Sequence, residues 1–324
     1  VLRPERETLS FVSKLLFPDD DERHKMDIDA SKMDEEWANR PDEVLEYCLR
    51  DAELPLDIMA EIQAVRRCEA IASVSGVSLD TVANGNTSQR IDALVIKAAD
   101  RSNIGVPLTG SADAKEGQIT GGYVHDVEAG LHPWVAILDF KSMYPSIMIG
   151  NNICYTTRVD QGSTDQPLED EELFVSPTGA KFRHPSQRQG LIPLLLEDLM
   201  AQRDANKAAL AKAKDPVSKS FYDQMQYAVK ILMNSFYGVF ASGFYRFTHR
   251  DLGSSITAWA RHNIKKIIQR LEDEGHGVVY SDTDSIFVSV PLVEGENQVE
   301  KMIEFGHETA QRFSEDSAIL EFEK

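Results

Sequence analysis

Between Leu191 and Phe240 the sequence reads as continuous helix except at Asp215-Pro216. Proline cannot continue a helix interior, so this stretch folds as two long helices, Leu191 to Lys214 and Val217 toward Phe240. The second returns along the first as its hairpin partner, with Leu194, Leu195, Leu199 and Met200 expected on one apolar face of the first. A long helical hairpin inside the chain is a strong constraint, because the elements around it must build a platform on which it stands. A third helix is expected over roughly Leu252 to Glu274, ended by Gly275 and Gly277.

The platform is legible as strands. Trp134-Val135-Ala136-Ile137-Leu138 is a short apolar run that ends in an acid, Asp139, and suits a buried strand. Gly277 to Tyr280 and Ser285 to Val290 read as two strands around an Asp-rich turn, a β-hairpin. Helical spacing also runs from Pro41 through Val44, Leu45, Cys48, Leu54, Leu56, Ile58, Met59, Ile62 and Val65, and again over Ile91 to Ala99 after the break Asn84-Gly85-Asn86. A last amphipathic helix is expected over about Val299 to Phe313, and loop with short helix over residues 1–40. Residues 105–122 are Gly-rich, and residues 160–190 read as loop and short strands. Strands and helices mix without βαβ regularity, which makes the fold class α+β.

Composition enters through charge. The 324 residues carry 34 Lys and Arg against 53 Asp and Glu, a formal charge of -19, which would ordinarily argue against a nucleic-acid partner. The charge is uneven, however. Residues 203–270 hold 12 basic and 4 acidic side chains, whereas residues 1–62 hold 8 and 18, and residues 271–324 hold 3 and 14. The basic stretch is either a solvated helical face or a phosphate-facing surface, and charge alone does not decide between them. The length suits roughly two domains of about 150 residues. No apolar run approaches the ~20 residues of a membrane span, and no signal-peptide core is present at the N-terminus, so a membrane or secreted location is not expected. Cys48, Cys68 and Cys154 are far apart and form no Cys-x-x-Cys pair, which argues for a reducing compartment without disulfides or a zinc site.

Three groups of residues carry chemistry. Asp139 at a strand end, with Asp282 and Asp284 in a hairpin turn, offers hard oxygen ligands on rigid backbone, as Mg²⁺ requires. Brought together, they would clamp two ions ~3.5–4 Å apart, as in phosphoryl transfer. Aspartate is also ordinary turn chemistry, so each piece alone leaves both readings open. On the helical hairpin, Arg203 and Lys207 lie four residues apart, as do Lys230 and Asn234, so each pair shares a face that would grip a triphosphate or simply face solvent. Asn234 and Gly238, both poor helix formers, sit within the second helix, so something other than helix stability is being satisfied there.

Read as segments, these residues resemble the polymerase motifs of family B DNA polymerases. Asp139-Phe140-Lys141-Ser142-Met143-Tyr144-Pro145-Ser146-Ile147 is similar to the first motif, D-x-x-S-L-Y-P-S-I. Lys230 to Gly238 (Lys-Ile-Leu-Met-Asn-Ser-Phe-Tyr-Gly) resembles the second, K-x-x-x-N-S-x-Y-G, and Tyr280-Ser281-Asp282-Thr283-Asp284-Ser285 the third, Y-G-D-T-D-S, with Ser281 where Gly is usual. Thr120-Gly121-Gly122-Tyr123 looks like the family's linker signature, Ile119 standing where Tyr is usual, and Tyr47-Cys48-Leu49-Arg50-Asp51 is similar to its third proofreading-exonuclease motif, Y-x-x-x-D. Cys154 to Thr157 and Ser176 to Gly179 resemble the archaeal and eukaryotic delta-type replicative branch.

The resemblance implies a DNA-directed DNA polymerase that adds deoxynucleotides to a primer 3′-hydroxyl with two Mg²⁺ ions, Mn²⁺ being a substitute. It implies Asp139 and Asp284 as metal-holding catalytic residues, with the Phe140 main chain at the metal and Asp282 supporting from the side. Ser142, Met143, Tyr144, Arg203, Lys207, Lys230 and Asn234 would bind the dNTP, Tyr144 excluding a 2′-hydroxyl, and Tyr237 and Gly238 would lie against the nascent base pair. Tyr47 and Asp51 would be an exonuclease remnant. The implied layout is exonuclease tail over 1–65, palm over 66–186, fingers over 187–240 and palm again over 241–324, with the other nuclease acids and the thumb lying outside the chain. Primer–template DNA and dNTPs are the implied partners, with a sliding clamp in the intact enzyme, no membrane, and a nucleoid or nuclear location by lineage. Two other readings stand beside it: a catalytically inactive polymerase-like subunit, which would be expected to lose these acids or phosphate ligands, and a metal-dependent phosphohydrolase, which has no use for the Tyr144 gate.

Overall fold

The computed structural model describes residues 4–108, 119–159, 172–242, 245–291, 297–314 and 318–324. It divides into two compact units, Val1–Ala72 and Ser73–Lys324.

The first unit is helical, with α1 (Leu9–Leu16), α2 (Met33–Asn39), α3 (Pro41–Glu61) and the first part of α4 (Ala64–Ser75). Thr8 caps α1 by accepting the amide of Phe11, and Pro41 opens α3 where its missing N–H costs nothing. The helical spacing from Pro41 to Val65 breaks at Gln63, whose φ of 53° is left-handed, so the pattern folds as two helices rather than one. Its apolar residues also do not form one buried stripe: α3 buries Val44 and Leu54, while Leu45 and Leu56 are 56% and 65% exposed.

The second unit holds α5 (Leu79–Asn84), α6 (Thr87–Arg101), β1 (Val124–His125), β2 (Val135–Phe140), α7 (Met143–Gly150), β3 (Leu173–Val175) and β4 (Lys181–Arg183). It continues with α8 (Leu191–Lys212), α9 (Pro216–Phe240), α10 (Arg250–Asp273), β5 (Val278–Asp282), β6 (Ser285–Ser289), α11 (Gln298–Phe313) and β7 (Leu320–Phe322). The fold is α+β. One antiparallel sheet in the order β1-β5-β6-β2-β7 is its platform, and β3-β4 form a separate hairpin. Neighbours in the sheet are set by register: Asp139 of β2 faces Ser285 of β6 on one side and Glu321 of β7 on the other.

Alternation fixes the faces. Ala136, Leu138 and Phe140 of β2 and Ile286 and Val288 of β6 point into one core, which Ile264, Ile267 and Leu271 of α10 and Phe313 of α11 share. Asp139 and Ser285 therefore project from the opposite face. The hairpin of α8 and α9 forms as expected, but Asp215-Pro216 starts α9 rather than merely ending α8. The Asp215 carboxylate accepts the amide of Ser218 at 2.8 Å and Pro216 takes the first turn. The buried side of α8 also differs from expectation. Leu191, Ile192, Leu196 and Leu199 are buried whereas Leu194 is 43% exposed, because the helix is rotated to bring Ile192, Leu196 and Leu199 onto the core. In α6 the Asn84-Gly85-Asn86 break ends in a capping box. Asn86 accepts the amide of Gln89 at 3.0 Å and the Gln89 side chain accepts that of Asn86 at 3.2 Å, so the helix begins at Thr87 rather than Ile91.

Candidate active site

Asp139 lies one residue inside β2 rather than at its end, and Asp282 is the last residue of β5 rather than part of a four-residue turn. Asp282 pairs with Ser285, which leaves Thr283 and Asp284 as a two-residue turn. The two elements are bonded where the acids meet: the amide of Phe140 donates to the carbonyl of Asp284 at 2.8 Å. A carboxylate of β2 and one of the β5–β6 turn are thus brought to neighbouring positions.

Their electrostatics carry the imprint of that proximity. Burial, then the charges of Asp284, Glu323 and Glu321, raise the Asp139 pKa from 3.8 to about 6, with Lys230 pulling the other way. Asp284 is raised as well, first by burial and then by Asp282 and Glu323, against its own backbone hydrogen bond. Half-buried carboxylates held against each other destabilise their ionised forms, and a divalent cation between them would remove that penalty. Among the described residues no three His, Cys, Asp or Glu side chains gather as a complete ligand set. The donor set nevertheless fits Mg²⁺, which takes one or two carboxylates from protein and keeps the rest of its shell for water and phosphate.

The acids open onto a cleft of about 450 Å³ lined by Asp139, Asp284 and the 140–145 segment, by Arg203, Lys230 and Asn234, and by Glu321 and Phe322 of β7 with Glu323 just after it. Chain turns in the 140–145 segment explain why it fits there. Ser142 has a left-handed φ of 47° and reverses the chain from β2 into α7, a helix not legible in advance. Across the cleft the Arg203 guanidinium donates from Nη1 to Ser142 Oγ at 3.4 Å, while its buried Nε has no hydrogen-bond partner among the described residues. Tyr144 is stacked on Tyr237, ring centroids 4.4 Å apart and 29° off parallel, and burial pushes its hydroxyl pKa to about 12. Lys141 sits 3.8 Å from Asp204 of α8 and 3.9 Å from Glu321.

The structure thus gathers Asp139, Phe140, Ser142, Met143, Tyr144, Arg203, Lys230, Asn234 and Asp284 around one cleft. Tyr237 reaches it through Tyr144, whereas Lys207 and Gly238 are exposed and do not line it. Asp282 does not line it either, its Oδ1 accepting the Thr283 hydroxyl at 2.9 Å. Tyr47 and Asp51 belong to the other unit, where Lys25 bonds Asp51 at 2.9 Å and lies over the Tyr47 ring. Glu321 and Glu323 were not singled out from the sequence, although Leu320-Glu321-Phe322-Glu323 alternates with the period of a strand. All three cysteines are free, and among the described residues no helix is long and apolar enough to cross a membrane.

Residues 77–324 match the profile of DNA polymerase family B. The chain is 32% identical over 292 residues to the DNA polymerase delta catalytic subunit of Bos taurus, which covers 86% of this chain and 26% of that protein. It is 31% identical over 319 residues to the delta catalytic subunit of Mesocricetus auratus, covering 94% of this chain and 28% of that protein. The chain therefore spans about a quarter of the length of these relatives. In fold it resembles the family B DNA polymerase of the hyperthermophilic archaeon Pyrobaculum calidifontis, with a TM-score of 0.73 at 24% identity over 99% of this chain and 40% of the other.

Proposed function

The chain belongs to DNA polymerase family B, and on that premise we propose that it carries the nucleotidyl-transfer site of a template-directed DNA polymerase. The observation that supports this most is the convergence of Asp139 and Asp284 with Arg203, Lys230 and Asn234 on one cleft. Two divalent cations held by the Asp139 and Asp284 carboxylates and the Phe140 main chain would supply Lewis acidity at the primer 3′-hydroxyl and charge neutralisation at the triphosphate.

The chain's own residues do the positioning. Arg203, Lys230 and Asn234 receive the phosphates from the helical hairpin, with Lys207 one turn beyond Arg203 on α8 to reach them from outside the cleft, and the 142–144 backbone receives them from the sheet side. The stack of Tyr144 on Tyr237 would form a floor for the sugar and nascent base pair, with the Tyr144 ring excluding a 2′-hydroxyl. Gly238 leaves open space above α9, since nothing lies within 4 Å of where its side chain would be. Asp282 supports the turn from the side. In this reading α8 and α9 are the fingers (187–240), the five-stranded sheet with its helices is the palm (66–186 and 241–324), and residues 1–65 are the tail of an exonuclease domain carrying Tyr47 and Asp51. In the intact protein the partners are primer–template DNA, dNTPs and a sliding clamp.

A chain that had lost its chemistry would lack the carboxylate pair or the phosphate ligands, whereas Asp139, Asp284, Arg203, Lys230 and Asn234 all line the cleft. A phosphohydrolase would release phosphate without a template. The test is primer extension by the intact protein with each template base in turn, dNTP against rNTP. Incorporation of the complementary dNTP, with ribonucleotides admitted by Tyr144→Ala, is the expected result. Template-independent phosphate release would refute the reading.

A further inference from the structure

We propose that residues 119–125 form a strap that sets the position of Asp284, with Gly122, Thr283 and Arg261 as positioning residues; this rests on the metal-holding role proposed for Asp284. The turn that presents Asp284 is closed on Asp282, whose carbonyl accepts the Asp284 amide at 2.6 Å and the Ser285 hydroxyl at 3.2 Å. β2 holds it by the Phe140 amide, but none of these bonds fixes the backbone amide of Thr283. Only Thr283 and Asp284 lie beyond the last strand pair, and Thr283, a β-branched residue, takes a left-handed φ of 54°. Such a conformation is unfavourable for a branched side chain and persists only where the surroundings impose it.

The two-residue hairpin calls for it, and the strap holds it in place. The amide of Thr283 donates to the carbonyl of Tyr123 at 2.9 Å, and β1 continues the contact by pairing Val124 with Asp282 and His125 with Ser281. Gly122 lies directly against the Thr283 side chain. A methyl group there would stand 2.9 Å from Oγ1 and 3.0 Å from Cγ2, closer than such contacts ordinarily come, so only glycine allows the turn to settle where it does. The strap is in turn fastened to α10. Arg261 Nη1 donates to the carbonyls of Thr120 and Gly121 at 2.8 and 2.6 Å, and Lys265, one turn on, places its ammonium 4.7 Å from the centre of the Tyr123 ring. A continuous path thus runs from α10 through Arg261, the strap and Thr283 to the carboxylate of Asp284. Displacing a metal-holding carboxylate by a fraction of an ångström is costly to a reaction that depends on alignment.

The test uses the intact protein in two independent measurements. In Gly122→Ala, amide exchange across residues 281–285 is expected to rise, the Mg²⁺ concentration for half-maximal extension to rise about fivefold or more, and kcat to fall ~10- to 100-fold, while the KM for dNTP changes little. Adding Thr283→Gly removes all three side-chain atoms that the new methyl meets, Cβ at 3.2 Å included, and suits the left-handed backbone, so Gly122→Ala/Thr283→Gly is expected to recover most of the loss and the exchange protection. Wild-type exchange and Mg²⁺ dependence in Gly122→Ala would overturn the proposal, as would a defect that Thr283→Gly leaves unrelieved. Should Gly122→Ala not accumulate as folded protein, Arg261→Ala loosens the strap without crowding. Raised exchange at 281–285 then supports the proposal, and unchanged exchange overturns it. If the unmodified protein extends no primer, the proposed activity fails, and the exchange measurement alone still decides the strap.

Discussion

At the scale of single residues, the cleft carboxylates are held in a state whose cost a divalent cation would relieve. The fold raises the pKa of Asp139 to about 6, so it binds that proton more tightly than the unfolded chain does. The contribution of this group to stability is present below pH 3.8 and is lost as pH rises through about 6. Asp139→Asn is therefore expected to raise the melting temperature in metal-free buffer at pH 7.5 but not at pH 4, while primer extension is lost. Thermal unfolding at the two pH values checks this, and equal effects at both would contradict the electrostatic cause. A second residue-scale prediction concerns Ser281, whose hydroxyl is fully buried without a hydrogen-bond partner among the described residues. Ser281→Ala should stabilise by about 1 kcal/mol, since a buried unsatisfied hydroxyl costs roughly 1–3 kcal/mol, and should leave extension intact. Denaturant unfolding measures it, and a loss of stability would point to a partner for the hydroxyl.

At the scale of elements, the helical hairpin stands on packing more than on propensity. α9 buries Val229, Leu232, Met233, Phe236 and Phe240 along one side, yet carries Asn234 and Gly238 on the other, both exposed. Gly238 has no left-handed φ and nothing within 4 Å of a would-be side chain, so neither backbone geometry nor packing in this structure demands glycine. Gly238→Ala should stabilise the fold by about 0.5–1 kcal/mol through helix propensity while lowering dNTP incorporation, because the cleared surface is where the base pair would lie. Stability and single-nucleotide incorporation, measured on the same protein, check the two halves. Greater stability with full incorporation would remove Gly238 from the site.

At the scale of the whole molecule, most of the residues that line the cleft were legible in the sequence and much of their staging was not. The α8–α9 hairpin, the strand before Asp139 and the hairpin around Asp284 follow from local rules of period and breaking residues. Helix α7 does not, because Met143 to Gly150 is apolar all round and has no helical stripe; only the left-handed turn at Ser142 makes it a helix at the cleft. The short strands β1 and β7 become strands only by pairing with β5 and β2, which is tertiary information, and β7 with the residue after it brings in Glu321 and Glu323 unannounced. The rotation of α8 that exposes Leu194 was likewise set by its partners. The charge of -19 misleads in the same way, since the basic stretch 203–270 supplies Arg203 and Lys230 to the cleft while the acids are concentrated at both ends of the chain.

The central claim is that Asp139 and Asp284 act as a pair in templated nucleotidyl transfer. Single-turnover extension of a primer–template by the intact protein, comparing wild type with Asp284→Asn at saturating Mg²⁺, tests it most directly. The expected rate is lower by about 10²–10³-fold or more with primer–template affinity unchanged within about twofold, as follows when charge stabilisation at the reacting centre is removed. An Asp284→Asn protein that extends primers at the wild-type rate would contradict it.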